Sequence, residues 1–130
     1  MTISLPSKAV ICEIHKQQNE KFRGISFEPD HSKLNSALAW PRMMVTAGGG
    51  VDVFDVAVSL MSSIVSLRPF NQGNRRMGLT LCLMTLRRNG WVLDITNEEA
   101  FGLMAKLNGK NIEEKDIIKF CRDKSVYLGS

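Results

Sequence analysis

Arg68, Gln72, Asn74, Arg75 and Arg76 fall in one short stretch, Arg68-Pro69-Phe70-Asn71-Gln72-Gly73-Asn74-Arg75-Arg76. The chemistry these residue types support is anion binding. A guanidinium fork meets two phosphate oxygens at once and keeps its charge at any physiological pH. Pro69 fixes one backbone angle and disfavours helix at Arg68, so an incoming helix should end there. Gly73 permits a turn closed to other residues, and Asn74 can cap the helix that follows. A helix start offers backbone N–H groups and the positive end of the macrodipole, which together favour an anion. The stretch therefore reads as a phosphate-cradling loop. An ordinary solvated helix start, with a Gly-Asn turn and two arginines, is an equally good reading of the same residues.

Two apolar runs must hold this loop. Val53, Phe54, Ala57, Leu60, Met61, Ile64 and Val65 recur at spacings of three and four, which predicts a buried third helix over Val53–Leu67. Met77, Leu79, Leu81, Cys82, Leu83, Met84 and Leu86 make the fourth, Asn74–Asn89, apolar on most sides and therefore central. Upstream, Ile3 and Leu5 alternate in a short extended lead. Pro6-Ser7 then starts a first helix with Val10, Ile11 and Ile14 on one face, ending near Phe22 before Gly24. His15 follows that face by one residue and reads as structural. Asp30 or Ser32 caps a second helix, Lys33–Trp40, that Pro41 stops, with Trp40 as a core or groove anchor.

Gly48-Gly49-Gly50 makes Met43–Asp52 the most flexible part of the chain, either a plain linker or a flap beside the loop. Downstream, Trp91–Ile95 is short and extended. Thr96-x-x-Glu99 is a capping box for a fifth helix through Phe101, Leu103, Met104 and Leu107, ended by Asn108-Gly109. Asn111-x-x-Glu114 opens a sixth with Ile117, Ile118 and Cys121. The expected fold is all-α, about six helices around a central apolar helix, in one domain over 1–130.

At 130 residues the chain can bury a proper core, and 44% hydrophobic with 23% charged residues is ordinary globular composition. The net charge of +4 and a pI near 9.2 are compatible with acidic partners without requiring them. A nucleic-acid module would carry an exposed aromatic series or a reading helix, and neither shows. No apolar run approaches the roughly 20 residues of a membrane span. Cys12, Cys82 and Cys121 are odd in number, lack metal-ligand spacing and sit in apolar helical settings. With no secretory signal at the N-terminus, reduced thiols in a cytoplasmic protein are expected.

The loop resembles the Fic/Doc family signature His-x-Phe-x-(Asp/Glu)-(Gly/Ala)-Asn-(Gly/Lys)-Arg. Phe70, Gly73, Asn74 and Arg76 match it, and Arg75 stands where the Doc branch has lysine. Asn71 and Leu86-Arg87-Arg88-Asn89-Gly90 are also similar to that branch. Glu13-Ile14-His15, Gly24 and Leu34-Asn35-Ser36-Ala37-Leu38-Ala39-Trp40-Pro41-Arg42 resemble further family segments in the same order. Two positions depart: Arg68 replaces the family's catalytic histidine, and Gln72 its acidic metal ligand.

The resemblance implies a Fic/Doc-like fold and ATP bound by Phe70, Asn71, Gly73, Asn74, Arg75 and Arg76, with Asn74 and Arg76 in the catalytic set. It implies Mg²⁺ at the Gln72 position, weakened because a neutral amide replaces a carboxylate. Nearness to Doc implies a toxin that transfers the γ-phosphate to a hydroxyl of elongation factor Tu, blocks translation, and is restrained by a Phd-like antitoxin in an apolar groove. Arginine cannot accept a proton near neutral pH, so Arg68 implies an inactive chain. The alternative is a natural pseudoenzyme that binds nucleotide or a partner without turnover.

Overall fold

The computed structural model describes residues 3–23, 28–108 and 113–129. Among them are α1 (Lys8–Arg23), α2 (His31–Ala47), α3 (Val53–Leu67), α4 (Asn74–Arg88), β1 (Trp91–Leu93), α5 (Asn97–Asn108), α6 (Glu114–Asp123) and β2 (Ser125–Tyr127). The all-α expectation of about six helices is met. Gly24, Gly109 and Asn111, each expected to shape a helix end, lie outside the described residues.

α3 begins at a reciprocal cap. The Asp55 N–H donates to Asp52 Oδ1 at 2.9 Å, and the Asp52 N–H donates to Asp55 Oδ2 at 3.0 Å. From there α3 is buried on most sides and packs chiefly on α4 and α2. These two central helices serve two cores. Leu60, Ile64, Met77 and Leu81 join Ile11 of α1, Leu34 and Leu38 of α2, and Phe70 of the loop. Phe54, Met61, Cys82 and Leu86 join Leu93, Leu103, Ile117 and Cys121 at the opposite end. The first core thus lies directly under the candidate loop. α3 shares with α4 the central place expected for α4.

The second helix differs from expectation. α2 runs from His31 through Pro41 to Ala47 instead of stopping at Trp40. An interior proline costs about 3 kcal/mol. Leu34, Ala37, Leu38 and Pro41 form one buried stripe, and burying two leucines alone contributes about 3–6 kcal/mol. Packing therefore carries the helix past the proline. Residues 43–47, expected to be flexible, are its last turn, and Gly48 ends it at φ +66° with its N–H bonded to Met44 O at 3.3 Å. Trp40 is 59% exposed and anchors no core.

The only sheet among the described residues pairs β1 with β2 antiparallel, Val92 opposite Val126. It is not a local hairpin, because α5 and α6 lie between its strands. The capping box of α5 is present: Glu99 N–H donates to Thr96 Oγ1 and Thr96 N–H to Glu99 Oε1, each at 3.1 Å. α1 is tied to α4 by Gln18 Nε2 donating to Thr80 Oγ1 at 2.9 Å.

Candidate phosphate-binding site

The loop starts at a strained residue. Arg68 closes α3 in the left-handed conformation, φ +51° and ψ +57°, with its N–H bonded to Ile64 O at 3.0 Å. It is the one non-glycine with positive φ among the described residues. A side chain pays roughly 1–2 kcal/mol for that geometry, which the surrounding packing must over-determine. Arg68 is exposed and lines an open cavity of about 610 Å³ with Lys33, Asn71, Glu28 and Asp30. The start of α2 is docked on the same loop, since Asp30 N–H donates to Pro69 O at 2.7 Å.

Asn74 does not cap α4 as expected. Its Oδ1 accepts from Phe70 N–H at 3.0 Å and its Nδ2 donates to Phe70 O at 2.8 Å. The buried amide thus clamps the loop into a closed ring, because both of its ends find partners on one residue. The N-cap is Gly73, at φ +79°, with no side-chain cap bond. A helix start without a side-chain cap leaves its first-turn N–H groups to the space in front of it. A Cβ on Gly73 would lie 3.0 Å from Arg76 Nη2, so the guanidinium of Arg76 folds back directly over the loop. Arg75, by contrast, is exposed.

Beneath the loop lies His15, 3% exposed. Its ring stacks on Phe70 with centroids 4.1 Å apart and planes 21° from parallel. His15 Nε2 lies 3.0 Å from Gln72 O. A carbonyl only accepts, so the hydrogen sits on Nε2. Burial holds the His15 pKa below its usual value; the Gln72 carbonyl pulls it up, and the Arg76 charge presses it further down. The imidazole is thus neutral near pH 7 and turned into the core.

Gln72 Nε2 donates to Asn19 Oδ1 at 3.2 Å, which ties this side chain to α1. The loop itself carries no carboxylate, and no group of three His, Cys, Asp or Glu that could hold a metal occurs among the described residues. The donor set does not fit a protein-held Mg²⁺.

The structure therefore brings Phe70, Gln72, Gly73, Asn74 and Arg76 into one closed loop at the start of α4, with Arg68 and Asn71 at its open side. His15 and Asn19 are the partners that sequence reasoning missed as parts of the site. Ile11, His15 and Asn19 follow one another at intervals of four, all buried, and that spacing was the available signal.

The site is thus an asparagine-clamped loop at a helix start that has no side-chain cap, in a helical domain. Residues 5–86 match the sequence model of the Fic/DOC family, a span that runs from the lead before α1 nearly to the end of α4. The chain belongs to the Fic/Doc family. The comparison with curated proteins found no match. No helix among the described residues is long and apolar enough to cross a membrane.

Proposed function

We propose that this chain is a Doc-like member of its family that binds the phosphates of ATP at the start of α4 and, as written, transfers phosphate very slowly or not at all. What supports the reading is the clamp of Asn74 on both polar groups of Phe70, which holds the loop closed with Arg76 folded over Gly73. Backbone N–H groups of the first turn and the Arg76 guanidinium are the groups that would hold phosphate oxygens. Arg75, at the lysine position of the Doc branch, favours a nucleotide placed with its γ-phosphate toward the target.

In such a transfer a target hydroxyl oxygen attacks the γ-phosphorus, the bond to the β–γ bridging oxygen breaks, and ADP leaves. The hydroxyl proton needs an acceptor near neutral pH. Arg68 stands at that position and, as a guanidinium that offers only donors and no acceptor, cannot take it. By resemblance to Doc, the target is elongation factor Tu, the outcome of an active form is blocked translation, and the compartment is the cytoplasm. The tie between Gln72 and Asn19 favours a second reading, a natural pseudoenzyme, because the side chain at the metal position is bound within the protein.

Calorimetric titration with ATP tests the cradle. The parent chain should bind ATP, and Arg76→Ala should weaken binding by roughly 1.5–3 kcal/mol, the worth of a hydrogen bond to a charged group. Equal affinities would place the phosphates elsewhere. We further propose a Phd-like antitoxin as partner. Trp40 and Met43, 59% and 57% exposed and one turn apart on α2, are apolar surface of the kind a partner helix covers. Co-expression with the adjacent gene product should yield a stable complex; free separation of the two in mild salt would count against it.

A further inference from the structure

Residues 68–76 do not shape the loop alone, because Phe70 and Gln72 meet side chains of α1. We propose that His15 is the positioning residue of the phosphate cradle: its ring supports Phe70 and its Nε2–H holds the Gln72 carbonyl, which sets the turn that delivers Gly73 and α4 to the anion. The inference rests on the anion-binding reading above and deepens it by naming the residue outside the loop that gives the loop its shape.

Three observations carry it. The contacts fall on two residues of the loop and are of two kinds, a ring stack at 4.1 Å and a hydrogen bond at 3.0 Å. Both are made by a side chain only 3% exposed, so neither is a chance surface encounter. The two contacted residues are also the ones that set the ring and its exit. Phe70 gives both its N–H and its carbonyl to the Asn74 clamp, so Phe70 cannot shift without opening that ring. Gln72 immediately precedes Gly73, whose left-handed φ of +79° turns the chain into α4, and its carbonyl fixes the peptide plane joining them. An aromatic stack alone would locate Phe70 but leave that plane free to rotate. The hydrogen bond removes the freedom, and only a donor at the Nε2 position supplies it. Around His15 the charged group that acts on it is Arg76 of α4, on the same cradle.

The variants separate the two contacts. His15→Gln keeps an amide donor near the Nε2 position and loses the stack. His15→Phe keeps a ring and loses the donor. His15→Ala loses both, and Gln18→Ala breaks the α1–α4 bond to Thr80 one turn further on without touching the loop. Two measurements are made on each: backbone amide shifts of Gly73 and Asn74 by heteronuclear NMR without ligand, and affinity for sulfate and for ATP by calorimetry.

His15→Ala should move both amides and weaken affinity roughly tenfold, the effect of one lost buried hydrogen bond. His15→Gln should recover most of the affinity, His15→Phe should not, and Gln18→Ala should change neither readout. The inference is overturned if His15→Ala folds and leaves amides and affinity as in the parent. If His15→Ala does not fold, the Gln and Phe variants decide, and Phe equal to or better than Gln overturns it. An effect of Gln18→Ala as large as that of His15→Ala also overturns it, because the loop would then respond to α1 packing in general. If the parent binds neither sulfate nor ATP, the anion-binding reading fails instead, and the Gly73 and Asn74 shifts alone decide whether His15 shapes the loop.

Discussion

Position 68 carries a cationic side chain where the proposed transfer needs a base, and it does so in a backbone conformation that few side chains tolerate. Histidine is among the residues several-fold enriched at positive φ, so Arg68→His suits φ +51° at least as well as arginine. The side chain is exposed, and the exchange disturbs no core contact. General-base catalysis contributes about 10²–10⁴ in rate, or roughly 3–5 kcal/mol of barrier. Arg68→His should therefore raise phosphate transfer from ATP to elongation factor Tu by about that factor, read as incorporation of labelled phosphate, and should make expression toxic. Gln72→Asp added to it restores a carboxylate to the loop and should go further. If both variants fold and stay inert, the pseudoenzyme reading replaces the kinase reading.

Among the elements, the crossing of α3 and α4 is the contact on which the loop depends, because both of its flanks leave from that pair. The crossing is close at Gly78. A Cβ there would lie 3.0 Å from Met61 O and 3.0 Å from Val65 Cγ2. Alanine ordinarily gains about 1 kcal/mol over glycine inside a helix. Here the obstacle is a backbone carbonyl of the neighbouring helix, which can yield only if the helices part, and overpacking costs typically 1–3 kcal/mol. Packing should win. Gly78→Ala is expected to lower stability by about 1 kcal/mol and to lower Tm by a few degrees in a thermal melt followed by circular dichroism. An unchanged or raised Tm would mean that the helices adjust freely.

For the molecule as a whole, buried His15 makes stability depend on pH. Its folded pKa lies below the unfolded value of about 6.5, so the unfolded chain binds the proton first as pH falls. The contribution is fully present above about pH 6.5 and is lost as pH falls from there toward the folded pKa, with a slope of at most about 1.4 kcal/mol per pH unit. Urea unfolding at pH 7.5 and 5.5 should show the parent losing stability on acidification, and His15→Gln losing less. Equal losses in the two chains would mean that the imidazole is not held neutral.

Features that depend on residues close together in the chain were legible before any fold was known. The limits of α3 followed from its three-to-four spacing and from Pro69, and they are Val53 and Leu67 in the structure. The Thr96–Glu99 capping box joins residues three apart and is present in both directions. The loop was legible for the same reason, since Gly73, Asn74 and Arg76 act over a single turn. Tertiary structure decided what depends on distant partners. Pro41 reads as a stop, until the buried stripe of Leu34, Ala37 and Leu38 against the core outweighs the lost helix bond. Asn74 reads as a cap, until the folded-back chain offers it both polar groups of Phe70. His15 reads as one more structural histidine, because the carbonyl that it meets lies 57 residues away and no local pattern encodes that meeting. Local propensity is set by neighbours in sequence; which distant surfaces come into contact is set by the burial of apolar area over the whole fold, and that was decided only when α1 packed beneath the loop.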